Sequence, residues 1–286
     1  MPLTESMIRL SVSLHSEVEP LVEHWLWEHG AQAITSGGDG QARQLDALFH
    51  HPREIDLPSE FGKWLKQMPI ETGQITCEFV DTTAWRAARR DAFQSQRLGR
   101  VWLIPELDRN PPEPVSGELA LLIYPDQAFG SGDHATTQLM LLGMQERSWA
   151  GKKVLDVGCG TGILAILAEK LGAAACHGFD IDPTCEADMQ RHLQVNASQR
   201  TKLWIGPLES VSQGRYDSIL ANVTLNVHRE LVGRLDHWAE PGARVLGSGI
   251  TQSQWEETQK CYREAGWELS KVSAADSWMC FEGRRS

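Results

Sequence analysis

The nine residues Val154-Leu155-Asp156-Val157-Gly158-Cys159-Gly160-Thr161-Gly162 constrain the fold more than any other stretch of this chain. The apolar run 154–157 suits a strand buried on both faces. Three glycines at alternate positions then break the run, and 163–171 resumes as an apolar, Ala-rich segment with helical spacing. Strand, glycine turn and helix bring bare backbone to a helix N-terminus, where a nucleotide-like ligand can approach closely. A Cβ at these positions would hold such a ligand away or forbid the turn. The expected class is α/β with a doubly wound parallel sheet.

The glycine spacing separates two ligand classes. Dinucleotide folds use G-x-G-x-x-G with pyrophosphate on the helix end, and residue 163, where the last glycine would stand, is Ile. Here a carboxylate, Asp156, leads into the loop. It would repel pyrophosphate but suits the cationic amino-acid end of S-adenosylmethionine. The stretch His177-Gly178-Phe179-Asp180-Ile181-Asp182-Pro183 reads as a second strand ending in acid. Asp180 lies about 20 residues past the glycines, where an acid can take both hydroxyls of an adenosine ribose. The plainer alternative is an ordinary strand-helix turn whose acids are only solvated, and the register of Asp180 weighs against it.

A chain of 286 residues suits two domains, one small and one large. Its 27 basic and 38 acidic residues give a net charge of −11, which argues against a general nucleic-acid binder and suits a basic partner. No apolar run approaches the roughly 18 residues of a membrane helix, and the N-terminus lacks a signal-peptide core. The six cysteines contain no C-x-x-C pair, so neither a zinc site nor a disulfide framework is indicated. A reduced, cytoplasmic setting is expected.

The first eighty residues carry no chemical motif. The pattern predicts strands over 7–14, 31–35, 43–49 and 74–80, and helices over 17–28 and 59–67, the second opened by Ser59 as a cap. The order β-α-β-β-α-β is that of a small α+β ferredoxin-like domain. His24, His29, His50 and His51 have no acid or cysteine beside them to complete a metal set and read as surface residues. Residues 81–116 read as a linker: a helix over 83–93 with Arg86, Arg89 and Arg90 on one face, a strand over 97–104, and a Pro-rich break at 110–114. A further strand over 118–124 precedes the glycine motif. Beyond it, strands are expected over 203–205, 218–220 and 243–247, a helix over 225–237, a turn at Pro241-Gly242, a helix over 255–265, and a closing antiparallel pair over 267–272 and 277–282.

A second informative stretch is Ala128-Phe129-Gly130-Ser131-Gly132-Asp133-His134-Ala135-Thr136-Thr137. Two glycines, short hydroxyls and a histidine at a helix start make a loop suited to close contact. Its spacing alone fits equally well with Ser131, Asp133 and Thr136 simply capping the helix that runs to Gln145.

Phe129-Gly130-Ser131-Gly132-x-His134-x-Thr136-Thr137 resembles the Phe-Gly-Thr-Gly-x-His-x-Thr-Thr signature of the PrmA family, bacterial methyltransferases of the eleventh large-subunit ribosomal protein. The resemblance continues through 155–166, 180–183, Ala221-Asn222-Val223 and 97–105, and covers nearly the whole chain. It implies a doubly wound, Rossmann-like seven-stranded methyltransferase domain over 117–286, after a ferredoxin-like substrate-recognition domain over 1–80 and the linker 81–116. It implies S-adenosyl-L-methionine as cofactor and, as partner, a basic ribosomal protein of the large-subunit stalk base. The expected acceptors are lysine side chains and the N-terminal amine. No membrane or direct nucleic-acid contact is required, and a monomer is expected.

Position by position, the resemblance implies that Phe129 and Gly130 line the cofactor and acceptor pocket and that Thr137 holds the methionine end. Asp156, Gly158, Gly160 and Gly162 form the loop beneath the cofactor, Asp180 grips the ribose, and Ile181 packs on adenine. Asn222, with Phe129, faces the methyl group and the incoming amine. Three departures stand out: Ser131 replaces Thr, Arg200 stands near a usual second Asn and is expected at the adenine edge, and 223–228 replaces an Ala-Gly-Pro run. The absence of Asn-Pro-Pro-Tyr after the fourth strand removes the stacking aromatic that flat amide or base acceptors use, which favours a flexible amine. The competing readings are a methyltransferase of the same fold acting on another protein amine and, behind it, an NAD-dependent oxidoreductase and a non-catalytic ribosome-binding module. The glycine spacing opposes the oxidoreductase, and retention of the 129–137 loop with Asn222 opposes the non-catalytic module.

Overall fold

The computed structural model describes residues 6–31, 33–38, 40–50, 57–68, 72–81, 87, 90–126, 128–211 and 214–285. The chain divides into two compact units, Met1–Arg89 and Arg90–Ser286. In the first, β1 (Ser6–His15), α1 (Glu19–Glu28), β2 (Ala33–Gly37), β3 (Ala42–His50), α2 (Leu57–Gln67) and β4 (Thr72–Asp81) follow in order. The strands form an antiparallel sheet in the order β2-β3-β1-β4. Because side chains alternate across a strand, Leu10, Val12 and Leu14 share one face with Leu45, Ala47 and Phe49. That face buries against Val22, Trp25 and Leu26 of α1 and Phe61 and Leu65 of α2. α2 begins at Leu57, so Ser59 lies inside its first turn and does not precede it as a cap. Pro58 suits that first turn because its missing N–H has no partner there anyway.

The second unit opens with β5 (Gln96–Leu98), β6 (Val101–Pro105) and β7 (Leu119–Ile123), which form their own three-stranded sheet. Then come α3 (Ala135–Gln145), β8 (Lys153–Val157), α4 (Ile163–Lys170), β9 (Ala175–Asp180), α5 (Glu186–Val195) and β10 (Thr201–Ile205). β11 (Tyr216–Asn222), α6 (Leu225–Val232), α7 (Leu235–Trp238), β12 (Ala239–Thr251), α8 (Trp255–Glu264), β13 (Trp267–Ala275) and β14 (Trp278–Arg285) complete it. The main sheet has seven strands in the order β10-β9-β8-β11-β12-β14-β13. The five strands from β10 to β12 are parallel, and β14 runs antiparallel to both β12 and β13. This is an α/β fold built on a mixed, mostly parallel sheet. One face carries a core of Leu155, Ile219, Val245, Tyr262, Trp267 and Phe281.

Three expected elements come out differently. The strand over 97–104 is a hairpin: β5 and β6 pair antiparallel, with Leu98 opposite Val101 and Gly99 at a φ of +60°. The helix over 225–237 breaks around Gly233 into α6 and α7. The strand expected over 243–247 extends from Ala239 to Thr251, with the Pro241-Gly242 turn absorbed as a bulge between the Tyr216–Ala239 and Ser218–Arg244 pairs. Most of the helix expected over 83–93, with Arg86 and Arg89, lies outside the described residues, as does His51. No described helix is long and apolar enough to cross a membrane.

Candidate active site

The strand order reverses between β8 and β11, and in open α/β sheets the crevice beyond the carboxyl ends of such strands is where ligands bind. Asp156 and Val157 of β8 pair with Leu220 and Ala221 of β11, so Asn222 emerges beside the glycine turn. All three glycines of that turn have positive φ, at +64° for Gly158, +50° for Gly160 and +77° for Gly162. A Cβ would come under 3.0 Å from Val223 at Gly158, from the Phe129 carbonyl at Gly160, and from Leu203 at Gly162. The glycines are therefore needed first for backbone conformation and for the approach of three other segments of the protein. Of the two expected effects of a Cβ, forbidding the turn is the one these angles bear out.

The two motifs meet at this turn. Thr161 N donates to the Phe129 carbonyl at 3.0 Å, and Thr161 Oγ1 donates to the Gly130 carbonyl at 3.1 Å. Gly160 N donates to Asp180 Oδ2 at 2.8 Å, and Asp182 N donates to Asp180 Oδ1 at 3.0 Å. Phe129, Gly160 and Asp180, distant in sequence, are thus brought together at the turn. Ile181, next to Asp180 in the chain, is 74% exposed, an apolar side chain left open.

Asp156 is fully buried, and its Oδ2 accepts Ala165 N at 3.2 Å in the first turn of α4. Burial pushes its carboxyl up to about 8, with nearby Asp180 adding to the rise. Burial also raises Asp180, while backbone N–H donors of Asp182, Gly160 and Ile181 pull the other way. Asn222 Nδ2 lies 3.4 Å from Thr137 Oγ1, a long contact that ties β11 to α3. Both Asp156 Oδ1 and Asn222 Oδ1 are buried acceptors without a hydrogen-bond donor. Such atoms are costly to leave unmet, and these two lie on the paired strands β8 and β11 beside the glycine turn. Cys159, inside the turn, is held protonated by burial, so the cleft offers no activated thiol.

His134 is the N-cap of α3: its Nδ1 accepts Thr136 N at 3.3 Å and lies 2.7 Å from Thr136 Oγ1. The cap is the histidine and none of the three short polar residues expected. Burial pushes its imidazole down to about 4, so the ring is neutral. Its centroid lies 5.3 Å from Phe129 and 5.0 Å from Trp278 at the start of β14. Sequence reasoning missed Trp278, because nothing local to a C-terminal strand signals its arrival at a loop some 140 residues earlier in the chain.

It also missed a ladder on α5. Asp188 Oδ2 accepts Ala128 N at 2.6 Å and His192 Nε2 accepts Tyr124 N at 3.1 Å. Asn196, just past the helix, exchanges two bonds with the backbone of Leu122 at 2.8 and 2.9 Å. The i, i+4, i+8 spacing was the available signal. Arg200, expected near the adenine edge, lies at the amino end of β10 instead. Its backbone N and its guanidinium bind Glu169 at 3.1 and 3.0 Å, away from the cleft. Among the described residues no group of three His, Cys, Asp or Glu side chains could hold a metal ion.

The family model described as ribosomal protein L11 methyltransferase (PrmA) matches residues 6–286. A ribosomal protein L11 methyltransferase of Synechococcus elongatus is 30% identical over 292 residues, covering 97% of this chain and 96% of that one. Another, of Cupriavidus metallidurans, is 35% identical over 209 residues, covering 72% of this chain and 66% of the relative. The crystal structure of a ribosomal protein L11 methylase from Lactobacillus delbrueckii subsp. bulgaricus superposes with a TM-score of 0.62 at 27% identity, covering 68% of this chain and 99% of that one. The chain belongs to the PrmA family of ribosomal protein L11 methyltransferases.

Proposed function

We propose that this chain is an S-adenosylmethionine-dependent protein N-methyltransferase whose acceptors are the lysine and N-terminal amines of the eleventh large-subunit ribosomal protein. The observation that carries this reading is the pair of donor-less buried oxygens, Asp156 Oδ1 and Asn222 Oδ1, at the carboxyl ends of adjacent strands beside a glycine turn. One acceptor suits an ammonium group of the cofactor, and the other suits an amine to be methylated. Glycines 158, 160 and 162 leave the backbone bare beneath the cofactor, Asp180 takes the ribose, Ile181 covers the adenine, and Thr137 with Asp156 holds the methionine end.

When bound, S-adenosylmethionine supplies a methyl group already activated on a sulfonium. The protein has then to present an unprotonated amine in line, and alignment of reactants is worth on the order of 7 to 11 kcal/mol. A free lysine has a pKa of about 10.4 and an α-amine one of about 8, and burial in the cleft lowers both. Asn222 Nδ2 faces Thr137, which leaves Oδ1 to accept the amine N–H and aim its lone pair. Phe129 walls the same space and limits water.

The first unit's strand order and β-α-β-β-α-β sequence support reading it as a ferredoxin-like substrate-recognition domain. We take it as 1–80, joined by the linker 81–116 to a Rossmann-like seven-stranded catalytic domain, 117–286. An acidic chain of net charge −11 is matched to a basic ribosomal protein of the stalk base. A cytoplasmic monomer that needs neither membrane nor nucleic acid completes the reading.

Incubation with radiolabelled S-adenosylmethionine and the purified ribosomal protein is the test, with mass spectrometry locating the methyl groups. Label on lysine and N-terminal amines is expected, and its absence would overturn the assignment. Calorimetric titration with S-adenosylhomocysteine against NAD separates this reading from an oxidoreductase, since only the first should bind.

A further inference from the structure

Asn222 is the last residue of β11, and the turn that follows is fixed by elements distant in sequence. Val223 N donates to the Ser248 carbonyl of β12 at 3.2 Å. That carbonyl also lies 2.9 Å from Nε2 of His228, a fully buried residue of α6. His228 Nδ1 lies 2.9 Å from the hydroxyl of Tyr262 on α8, itself fully buried. A neutral imidazole has one donor and one acceptor nitrogen. The Ser248 carbonyl can only accept, so Nε2 carries the proton and Nδ1 receives the Tyr262 hydroxyl. The bonds therefore run one way, from Tyr262 through His228 to Ser248.

Ser248 is held on its other side, where its Oγ donates to the Met279 carbonyl at 2.7 Å. It is also the β12 residue paired with Asn222. Gly249 follows at a φ of +84°, where a Cβ would come under 3.0 Å from the Val223 backbone. The segment 222–224 is thus clamped against β12, with Gly158 packed on the Val223 side chain.

We infer that Tyr262 and His228 are positioning residues, whose hydrogen-bonded chain holds the Ser248 carbonyl against Val223 N–H and thereby sets the direction of the Asn222 amide. This rests on Asn222 being the group that meets the acceptor amine. It also gives a role to the 223–228 stretch, whose sequence departs from the Ala-Gly-Pro run. His228 is an internal strut there and does not contact the acceptor.

The Tyr262→Phe variant keeps the ring and its packing and removes only the hydroxyl. His228 Nδ1 is then unpaired, or takes the proton and turns a lone pair on Nε2 toward the Ser248 carbonyl. A displacement of about 1 Å at a reacting group can lower turnover on the order of a hundredfold, so a fraction of that shift should lower it about five- to tenfold. The experiment measures kcat and KM with the ribosomal protein, S-adenosylhomocysteine affinity by calorimetry, and amide hydrogen exchange over 221–226 in the full-length chain. For Tyr262→Phe we expect the fall in kcat, affinity and KM within about twofold, and faster exchange over 221–226. His228→Gln, whose amide can still donate to Ser248, should keep more activity than His228→Leu.

In an Asn222→Ala background, Tyr262→Phe should change kcat by less than about twofold, because residues acting as a unit are not additive. Unchanged kcat in folded Tyr262→Phe, or the same fold-loss in both backgrounds, would overturn the positioning role while leaving Asn222 in place. Unchanged kcat in Asn222→Ala would remove the role of Asn222 itself, and the positioning inference with it.

Discussion

Asp156 holds its carboxyl wholly inside the protein, with one oxygen on Ala165 N and the other without a donor. Its pKa, pushed up to about 8 by burial, lies above the ordinary value, so the ligand-free protein carries the proton at neutral pH. An ammonium group placed against Oδ1 favours the ionised form and lowers that pKa. Binding of S-adenosylhomocysteine at pH 7 should therefore release a proton from Asp156, and the release should fade as pH rises past 8. Calorimetry at pH 7 in two buffers of different ionisation enthalpy measures it, and Asp156→Asn should abolish it. A second expectation concerns Gly160, where φ is +50° and a Cβ would press on the Phe129 carbonyl. Gly160→Ala should destabilise the chain by about 1–3 kcal/mol in thermal melts and weaken S-adenosylhomocysteine binding. The positions of Asp156, Asp180 and the glycines were legible from spacing alone. What the glycines pack against was not, because Val223, Phe129 and Leu203 reach them through tertiary structure. The expectation for Arg200 came from the resemblance, which sets it near a usual second Asn and says nothing of the end of β10 it adjoins.

At the scale of elements, periodicity located most helices and strands, but it left out α5 and ran 97–104 together as one strand. Gln145, the last residue of α3, accepts Arg100 N through Oε1 at 2.8 Å and donates from Nε2 to the Leu98 carbonyl at 3.0 Å. That long-range contact folds 96–105 into a hairpin, and a local pattern of apolar residues cannot reveal it. α5 shows the converse, a helix whose polar face is not a solvated one. Asp188, His192 and Asn196 take the backbone of Ala128, Tyr124 and Leu122, just ahead of Phe129 in the chain. Burial pushes His192 down to about 4, which keeps Nε2 free to accept Tyr124 N. Removing Asp188 strands the Ala128 N–H, and an unmet buried donor costs about 1–3 kcal/mol. Asp188→Ala should therefore lower the melting temperature and speed amide exchange over 122–130, with the glycine turn remaining protected. Equal exchange in variant and wild type over that segment would show that the ladder does not hold it.

For the whole molecule, the decisive feature is that each unit has its own core. The first buries Leu10, Val12, Leu45, Phe49 and Phe61 among its own helices and strands. The second closes a separate core around Leu155, Ile219, Tyr262 and Phe281. Every group assigned to the cofactor or the amine, from Phe129 to Asn222, belongs to Arg90–Ser286. A chain beginning at Arg90 should therefore fold cooperatively and bind S-adenosylhomocysteine within about threefold of the full protein, since the site loses no ligand contact. Methylation of the ribosomal protein should fall much further if the first unit recognises the substrate as proposed, because the shortened chain keeps the site and loses that unit. The loss should appear in KM for the protein acceptor, and in the full-length enzyme that KM should rise with salt as the attraction between opposite charges is screened. Two outcomes would break this division of labour. A truncated chain that melts without cooperativity would make the first unit part of the catalytic fold, and one that methylates the ribosomal protein at full efficiency would leave it without a role in recognition.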